Sequence, residues 1–147
     1  MTIHTDGDQR ASGLTVSGLS HSFGPQQILK DISLNVAPGE ILCLLGPSGC
    51  GKTTTLRLIA GLEELQTGRI AWNDLVLADT GLNVPPEKRQ VGLLFQDFAL
   101  FPHLTVAENV AFGLKGLSAE ERDSRVHEVL DQVGMLRYGT KYPHFLS

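Results

Sequence analysis

Three features of the sequence predict an α/β fold. Two short runs are apolar at every position, a glycine-rich turn leads from the first of them into an amphipathic helix, and an alternating strand pattern precedes both. The chain has 147 residues, 41% hydrophobic and 19% charged, which suits a folded domain of ordinary size. Its net charge of −4 gives neither the basic footprint of a nucleic-acid binder nor a polybasic membrane patch. No apolar run approaches the ~18 residues of a membrane span. The two cysteines, Cys43 and Cys50, cannot make a disulfide framework. Glycine is over-used, at 16 residues, against an average of about 7%. Its clusters mark backbone that must take special shapes.

The elements follow in order. Residues 1–13 are polar and without periodicity and read as a mobile tail, with no apolar stretch for a signal peptide. Leu14, Val16, Leu19 and Phe23 give a weak strand pattern that ends at the Gly24-Pro25 turn. Ile32 to Val36 alternates apolar and polar as a half-buried strand, and Pro38-Gly39 ends it. The two strands suggest an antiparallel pair. Ile41 to Leu45 is continuously apolar and reads as a strand buried on both faces of a parallel sheet. Lys52 to Leu62 reads as a helix with Leu56, Ile59 and Ala60 on one face and Gly61 as its stop.

Gly68 to Ala78 reads as a hairpin about Asn73-Asp74, and Asn83 to Pro86 as a loop. Val91 to Phe95 is the second continuously apolar run, and Phe98 to Leu104 a proline-broken loop. Thr105 and Glu108 form a capping box that opens a helix to about Leu114. Ser118 and Glu121 form another. Its helix carries Val126, Val129, Leu130 and Val133 on one stripe and stops at Gly134.

Gly46-Pro47-Ser48-Gly49-Cys50-Gly51-Lys52-Thr53 fits the spacing G-x-x-x-x-G-K-[ST], with Thr54 following it. Each fixed position has a physical task. Glycines let backbone N–H groups turn inward around phosphate oxygens, and the helix start adds its dipole and unpaired N–H groups. Lys52 supplies a point charge for the β- and γ-phosphates, and the Thr53 hydroxyl is a hard oxygen ligand for Mg²⁺. The loop lies between a buried run and a helix, the context such a cradle requires.

Two further positions bear on the site. Phe23 is either a core aromatic or a face on which an adenine ring stacks, and its residue type leaves both open. Gln96 ends the second apolar run, where ligands of open α/β sheets bind.

From Gln96 the chain continues Asp97-Phe98-Ala99-Leu100-Phe101-Pro102-His103-Leu104-Thr105-Val106, then Glu108-Asn109-Val110. With the P-loop, these residues closely resemble the ATP-binding subunits of ABC transporters, from about Leu14 to Ser147. The resemblance implies a P-loop core spanning 14–96 with an N-terminal antiparallel β subdomain, and the start of a helical subdomain over 97–147. It implies that Phe23 stacks the base, that Gly46 to Thr54 bind ATP, and that Thr53 and Gln96 contact Mg²⁺. Gln96 would also touch the attacking water. Gly81 to Arg89 is similar to the importer branch that handles ferric iron, polyamines, sulfate and some sugars, and ferric iron is the expected cargo. The implied partners are a second ATP-binding subunit, membrane-spanning permease subunits and, indirectly, a periplasmic or surface solute-binding protein. No nucleic acid is expected, and the implied location is the cytoplasmic face of the inner membrane.

Leu146-Ser147 are similar to the first residues of the family's signature segment, and the pattern's later parts lie beyond them. The signature glycines, the Mg²⁺-holding Asp and the catalytic Glu are not in this sequence, so the C-terminal part of the fold is expected to be missing. Neither Ile41–Gly46 nor Val91–Gln96 ends in an acidic pair that would replace them. A family member is therefore expected to be a transport-coupled ATP hydrolase, while these 147 residues alone are expected not to hydrolyse ATP. One alternative is a nucleotide-binding fragment without catalysis; a P-loop kinase is another, against which the Gln96 segment speaks.

Other residues have plainer readings. Cys50 sits in the loop without a His or second Cys and reads as a bystander, and Cys43 as a small core residue. His4, His21, His103, His127 and His144 show no metal-ligand spacing. Phe98, Leu100 and Phe101 fit either core or a docking patch, and Glu120 to Asp131 a solvated helix face.

Overall fold

The computed structural model describes residues 13–96 and 99–146. The tail over 1–12, Asp97, Phe98 and Ser147 lie outside the described residues, and so do the expectations placed on them. The chain divides into two compact units, one up to Leu93 and one from Leu94.

The first unit is built on a four-stranded antiparallel sheet. Its strands are β1 (Leu14–Phe23), β2 (Gln26–Val36), β3 (Thr67–Trp72) and β4 (Leu75–Ala78), in the order β2-β1-β3-β4. The β1–β2 hairpin turns at Gly24-Pro25, with Phe23 paired to Gln26. The β3–β4 hairpin turns at Asn73-Asp74, with Trp72 paired to Leu75. Asn73 takes φ 54°, a left-handed conformation that asparagine tolerates. Helix α1 (Lys52–Ala60) crosses between β2 and β3 in sequence and buries Leu58 and Ile59 in one cluster with Val16, Leu19, Leu29, Leu65, Ile70 and Leu77. That cluster is the core.

The C-terminal end of α1 is sealed twice. Gly61 takes φ 79° and its N–H donates to the carbonyls of Arg57 and Leu58. Arg89, almost fully buried, donates from Nη1 to the carbonyls of Leu58 and Ile59 at 2.7 and 3.0 Å. Its Nε donates to Val84 O at 2.6 Å and its Nη2 to Asn83 Oδ1 at 2.5 Å. A cation at the negative end of a helix is favourably placed, and burial lowers the guanidinium pKa from its ordinary value. A Cβ at Gly61 would lie 2.5 Å from Arg89 Nε, so the glycine also makes room for this seal.

Three sequence expectations are corrected. Ile41–Leu45 and Val91–Phe95 are not strands, and among the described residues no strand pairs with either. Ile41 and Leu45 are 90% and 88% exposed, and Leu94 is 81% exposed. Cys43 is exposed, not core. An apolar run specifies burial only where neighbouring strands and a covering layer meet it. The β1–β4 sheet pairs with neither segment, though Val91 packs against its core.

The second unit contains α2 (Val106–Ala111) and α3 (Ala119–Gln132). Both capping boxes form. Thr105 Oγ1 accepts from Glu108 N at 3.3 Å while Glu108 Oε2 accepts from Thr105 N at 2.7 Å. Ser118 and Glu121 repeat the exchange at 3.3 and 2.9 Å. Helix α2 ends at Ala111, short of the expected Leu114, as Gly113 follows and Leu114 N closes a tight turn onto Ala111 O at 3.0 Å. In α3, Val126 and Leu130 are buried, but Val133 is exposed because the chain leaves the helical path there, at φ −102°.

Candidate functional site

The glycine-rich loop runs straight into the first turn of α1. Gly51 is the N-cap at φ 93°, a left-handed conformation open to glycine. A Cβ there would also overlap the Leu29 side chain, so the loop can lie close on β2 only with glycine at this position. The Thr55 side chain and N–H both bond the Gly51 carbonyl, at 3.0 and 2.8 Å, which fixes the start of the helix.

The helix start is left open. No side chain caps it, and its first turn holds no acidic residue. Its unpaired N–H groups and the positive end of its dipole therefore face outward without a protein anion. Lys52 completes the arrangement. Its Nζ donates to the carbonyls of Gly46 and Pro47, at 2.8 Å each, and to Cys50 Sγ at 3.6 Å. The ammonium is held over its own loop by neutral acceptors, which an anionic oxygen outcompetes. Cys50 serves here as one of the acceptors around Lys52.

Phe23 is brought to the same place. It is 47% exposed at the end of β1. With Ile28, Gly49, Gly51, Lys52, Thr53 and Thr54 it lines a half-open cavity of about 220 Å³. Ile28 enters this lining through a β-bulge. The register passes from Ser22↔Gln27 to His21↔Leu29, leaving Ile28 as the extra residue on β2. Gly46, Pro47, Ser48 and Cys50 form the exposed remainder of the loop. Thr53 is exposed on the first helical turn. Gln96 belongs to the second unit, where it is exposed in a turn.

No group of three or more His, Cys, Asp or Glu side chains able to hold a metal occurs among the described residues. The side-chain oxygens that the loop and the start of α1 offer are hydroxyls, those of Ser48, Thr53 and Thr54, of which Thr53 lies exposed on the first helical turn. This donor set fits a cation that takes its other ligands from phosphate oxygens and water, as Mg²⁺ does.

Four residues that hold local geometry, three in the first unit and Asn109 in the second, were given no structural role by the sequence. Arg89 seals the far end of α1. Asn109 holds the loop before α2, donating to the carbonyls of Phe101, Leu104 and Thr105 and accepting from Phe101 N at 2.9 Å. His21 and Gln66 flank Phe23. Arg89 and Gln66 act through backbone 30 to 44 positions away, for which the local sequence carries no signal, whereas His21 and Asn109 act on near neighbours through contacts that residue type alone does not announce. In the second unit Phe101 packs on Phe112, with centroids 4.3 Å apart, whereas Leu100 is half-exposed.

Comparison with known proteins places these features in a lineage. The ABC transporter family matches residues 29–147. The chain is 46% identical over 136 residues to the spermidine/putrescine import ATP-binding protein PotA of Thermotoga maritima, covering 91% of this chain and 36% of that protein. It is 43% identical over 137 residues to the Fe(3+) ions import ATP-binding protein FbpC of Haemophilus influenzae, covering 91% of this chain and 39% of that one. The chain thus spans well under half the length of these curated relatives. Among solved structures, it is similar to a dimeric ATP-binding cassette in a post-hydrolysis state bound to ADP and Pi. The TM-score is 0.76 at 30% identity, over 91% of this chain and 63% of that one.

Proposed function

The chain belongs to the ABC transporter family, and on that premise we propose that it supplies the nucleotide-binding half-site of an importer ATPase. The observation that carries this is the cavity in which Phe23 faces the open start of α1, Lys52 and Thr53.

The chemistry follows from the donors present. Phosphate oxygens accept from the loop and first-turn N–H groups. Lys52 Nζ turns from the Gly46 and Pro47 carbonyls to the β- and γ-phosphates, exchanging neutral acceptors for charged ones. Thr53 would contribute its hydroxyl to Mg²⁺, which would neutralise charge on the phosphates when bound. Phe23 stacks the adenine ring. The cavity is open on one side, so part of a bound nucleotide would be left exposed to a second surface. The dimeric cassette among the similar structures supports a second copy as that surface.

Hydrolysis asks for more than this half-site. An attacking water needs a group to orient it. Neither apolar run ends in an acidic pair, so these 147 residues bind and position nucleotide without turning it over. In the full importer the ATPase would act at the cytoplasmic face of the membrane on permease subunits, with a solute-binding protein supplying cargo. No helix among the described residues is long and apolar enough to cross a membrane, which suits a peripheral subunit. Ferric iron is our first candidate cargo. The polyamine and iron relatives are nearly equally similar, so uptake assays on a strain lacking the gene decide between them. Normal iron uptake with impaired polyamine uptake would reject iron.

The half-site itself is tested by a labelled ATP analogue with Mg²⁺. Lys52→Ala removes the cation of the loop and should abolish measurable binding. Equal binding by wild type and variant would overturn the assignment.

A further inference from the structure

Phe23 stands at the end of a strand, half-exposed beside a turn, where a side chain ordinarily has freedom to move. Two residues outside the P-loop restrain it. Gln66 grips the backbone of the preceding residue, Ser22, from 44 positions away with both ends of its carboxamide. Ser22 N donates to Gln66 Oε1 at 2.8 Å, and Gln66 Nε2 donates to Ser22 O at 2.9 Å. This is the exchange of two N–H···O bonds that a hydrogen-bonded pair in an antiparallel sheet makes. The β1–β3 ladder runs out at Ser20↔Thr67, and the side chain of Gln66 extends it by one rung toward Phe23. Gln66 is itself anchored, because its neighbour Leu65 is in the core.

His21 restrains the ring. It is 3% exposed and meets Phe23 edge to face, with centroids 4.7 Å apart and planes at 75°. Among the described residues neither of its ring nitrogens has a hydrogen-bond partner. Burying a polar ring in this way is costly, and an apolar side chain would avoid the cost. What the imidazole provides is an aromatic contact for Phe23 from the same face of β1. His21 is also the register partner of Leu29, on which Gly51 closes.

We infer that Gln66 is a positioning residue for base recognition: it fixes the Ser22 backbone so that Phe23, braced by His21, is already set for an adenine ring before nucleotide arrives. Preorganisation of this kind raises affinity by removing the ordering cost from the binding step. The inference rests on Phe23 as the base contact. It assigns to Gln66 no contact with the ligand.

The test compares MgATP with inorganic tripolyphosphate, which has the phosphates and no base, on the full-length gene product. Phe23→Ala should lower ATP affinity about fivefold, the scale of one aromatic contact, and leave tripolyphosphate unchanged. Gln66→Met, isosteric but without hydrogen bonds, should give a selective loss of about threefold, on the scale of a lost hydrogen bond. His21→Leu should behave in the same way. The double variant of Phe23→Ala and Gln66→Met should lose no more than Phe23→Ala alone, because the two act as one unit. Equal loss for ATP and tripolyphosphate in Gln66→Met would reduce the clamp to a structural role, and no loss in either, or full additivity with Phe23→Ala, would overturn it. If Phe23→Ala itself shows no base-selective loss, the stacking assignment falls and the clamp with it. If Phe23→Ala is selective and Gln66→Met is not, the clamp falls alone.

Discussion

Among the described residues α2 and α3 open on complete capping boxes, with Glu108 and Glu121 reaching back to close their first turns. Helix α1 opens on Gly51 with no cap and no acidic residue, and has Lys52 where the others have carboxylates nearby. A side-chain cap is worth roughly 1 kcal/mol, so α1 forgoes stability that the other two helices take. The other end of α1 is sealed by Gly61 and the buried Arg89. A helix closed tightly at one end and left bare at the other keeps the N–H groups of the bare end free, as the nucleotide site proposed there requires.

The contrast can be broken from its strongest side. Arg89→Met would leave the carbonyls of Ile59 and Val84 without their side-chain donor, and that of Leu58 with the Gly61 N–H alone. Orphaned buried acceptors should lower the stability of the first unit by about 3 kcal/mol, as read by denaturant unfolding. Trp72, the single tryptophan, lies in that unit and reports on it by fluorescence. A change within error would mean that the seal does not hold α1.

The contrast can also be transplanted. Thr54 occupies in α1 the third position that Glu108 and Glu121 occupy in their helices. Thr54→Glu supplies α1 with the missing carboxylate. Nucleotide affinity should fall about tenfold or more, since the new anion competes at the helix start, while thermal stability holds or rises. Unchanged affinity would show that the open end is not where the phosphates sit. In the opposite sense, Thr105→Ala uncaps α2 and should destabilise the second unit by about 1 kcal/mol, with nucleotide affinity unaffected.

The smallest effect is that of acid. Hydrogen bonds from Thr105 hold the Glu108 carboxyl below its ordinary pKa, and those from Ser118 do the same for Glu121. A carboxyl whose pKa is depressed in the folded state contributes stability above the ordinary range, about 4.3 for Glu, and loses it as pH falls through the lowered value. Titration followed by backbone amide shifts should show the starts of α2 and α3 loosening below that range. The start of α1, with no such carboxylate, should show no matching transition.

Much of this was legible in the sequence where the code is local. Asn73-Asp74 and Gly24-Pro25 set turns within two residues, and Thr105-Glu108 and Ser118-Glu121 set helix starts within four, so spacing sufficed. Gly51 and Lys52 were legible for the same reason. Ile41–Leu45 and Val91–Phe95 were not, because pairing depends on neighbours that the run itself does not contain. Arg89 follows Glu87 and Lys88, both exposed, and nothing local shows which of the charged residues turns inward. The Gln66–Ser22 clamp spans 44 positions and has no periodicity to betray it.

The open start of α1 is tested most directly by following backbone amides while MgATP is added to the full-length protein. The account predicts that the amides of Gly49, Gly51, Lys52 and Thr53 shift strongly and gain protection, while those of Glu108 and Glu121, already closed by their own caps, stay where they are. Stationary loop amides under saturating nucleotide, or shifts of equal size at all three helix starts, would contradict it.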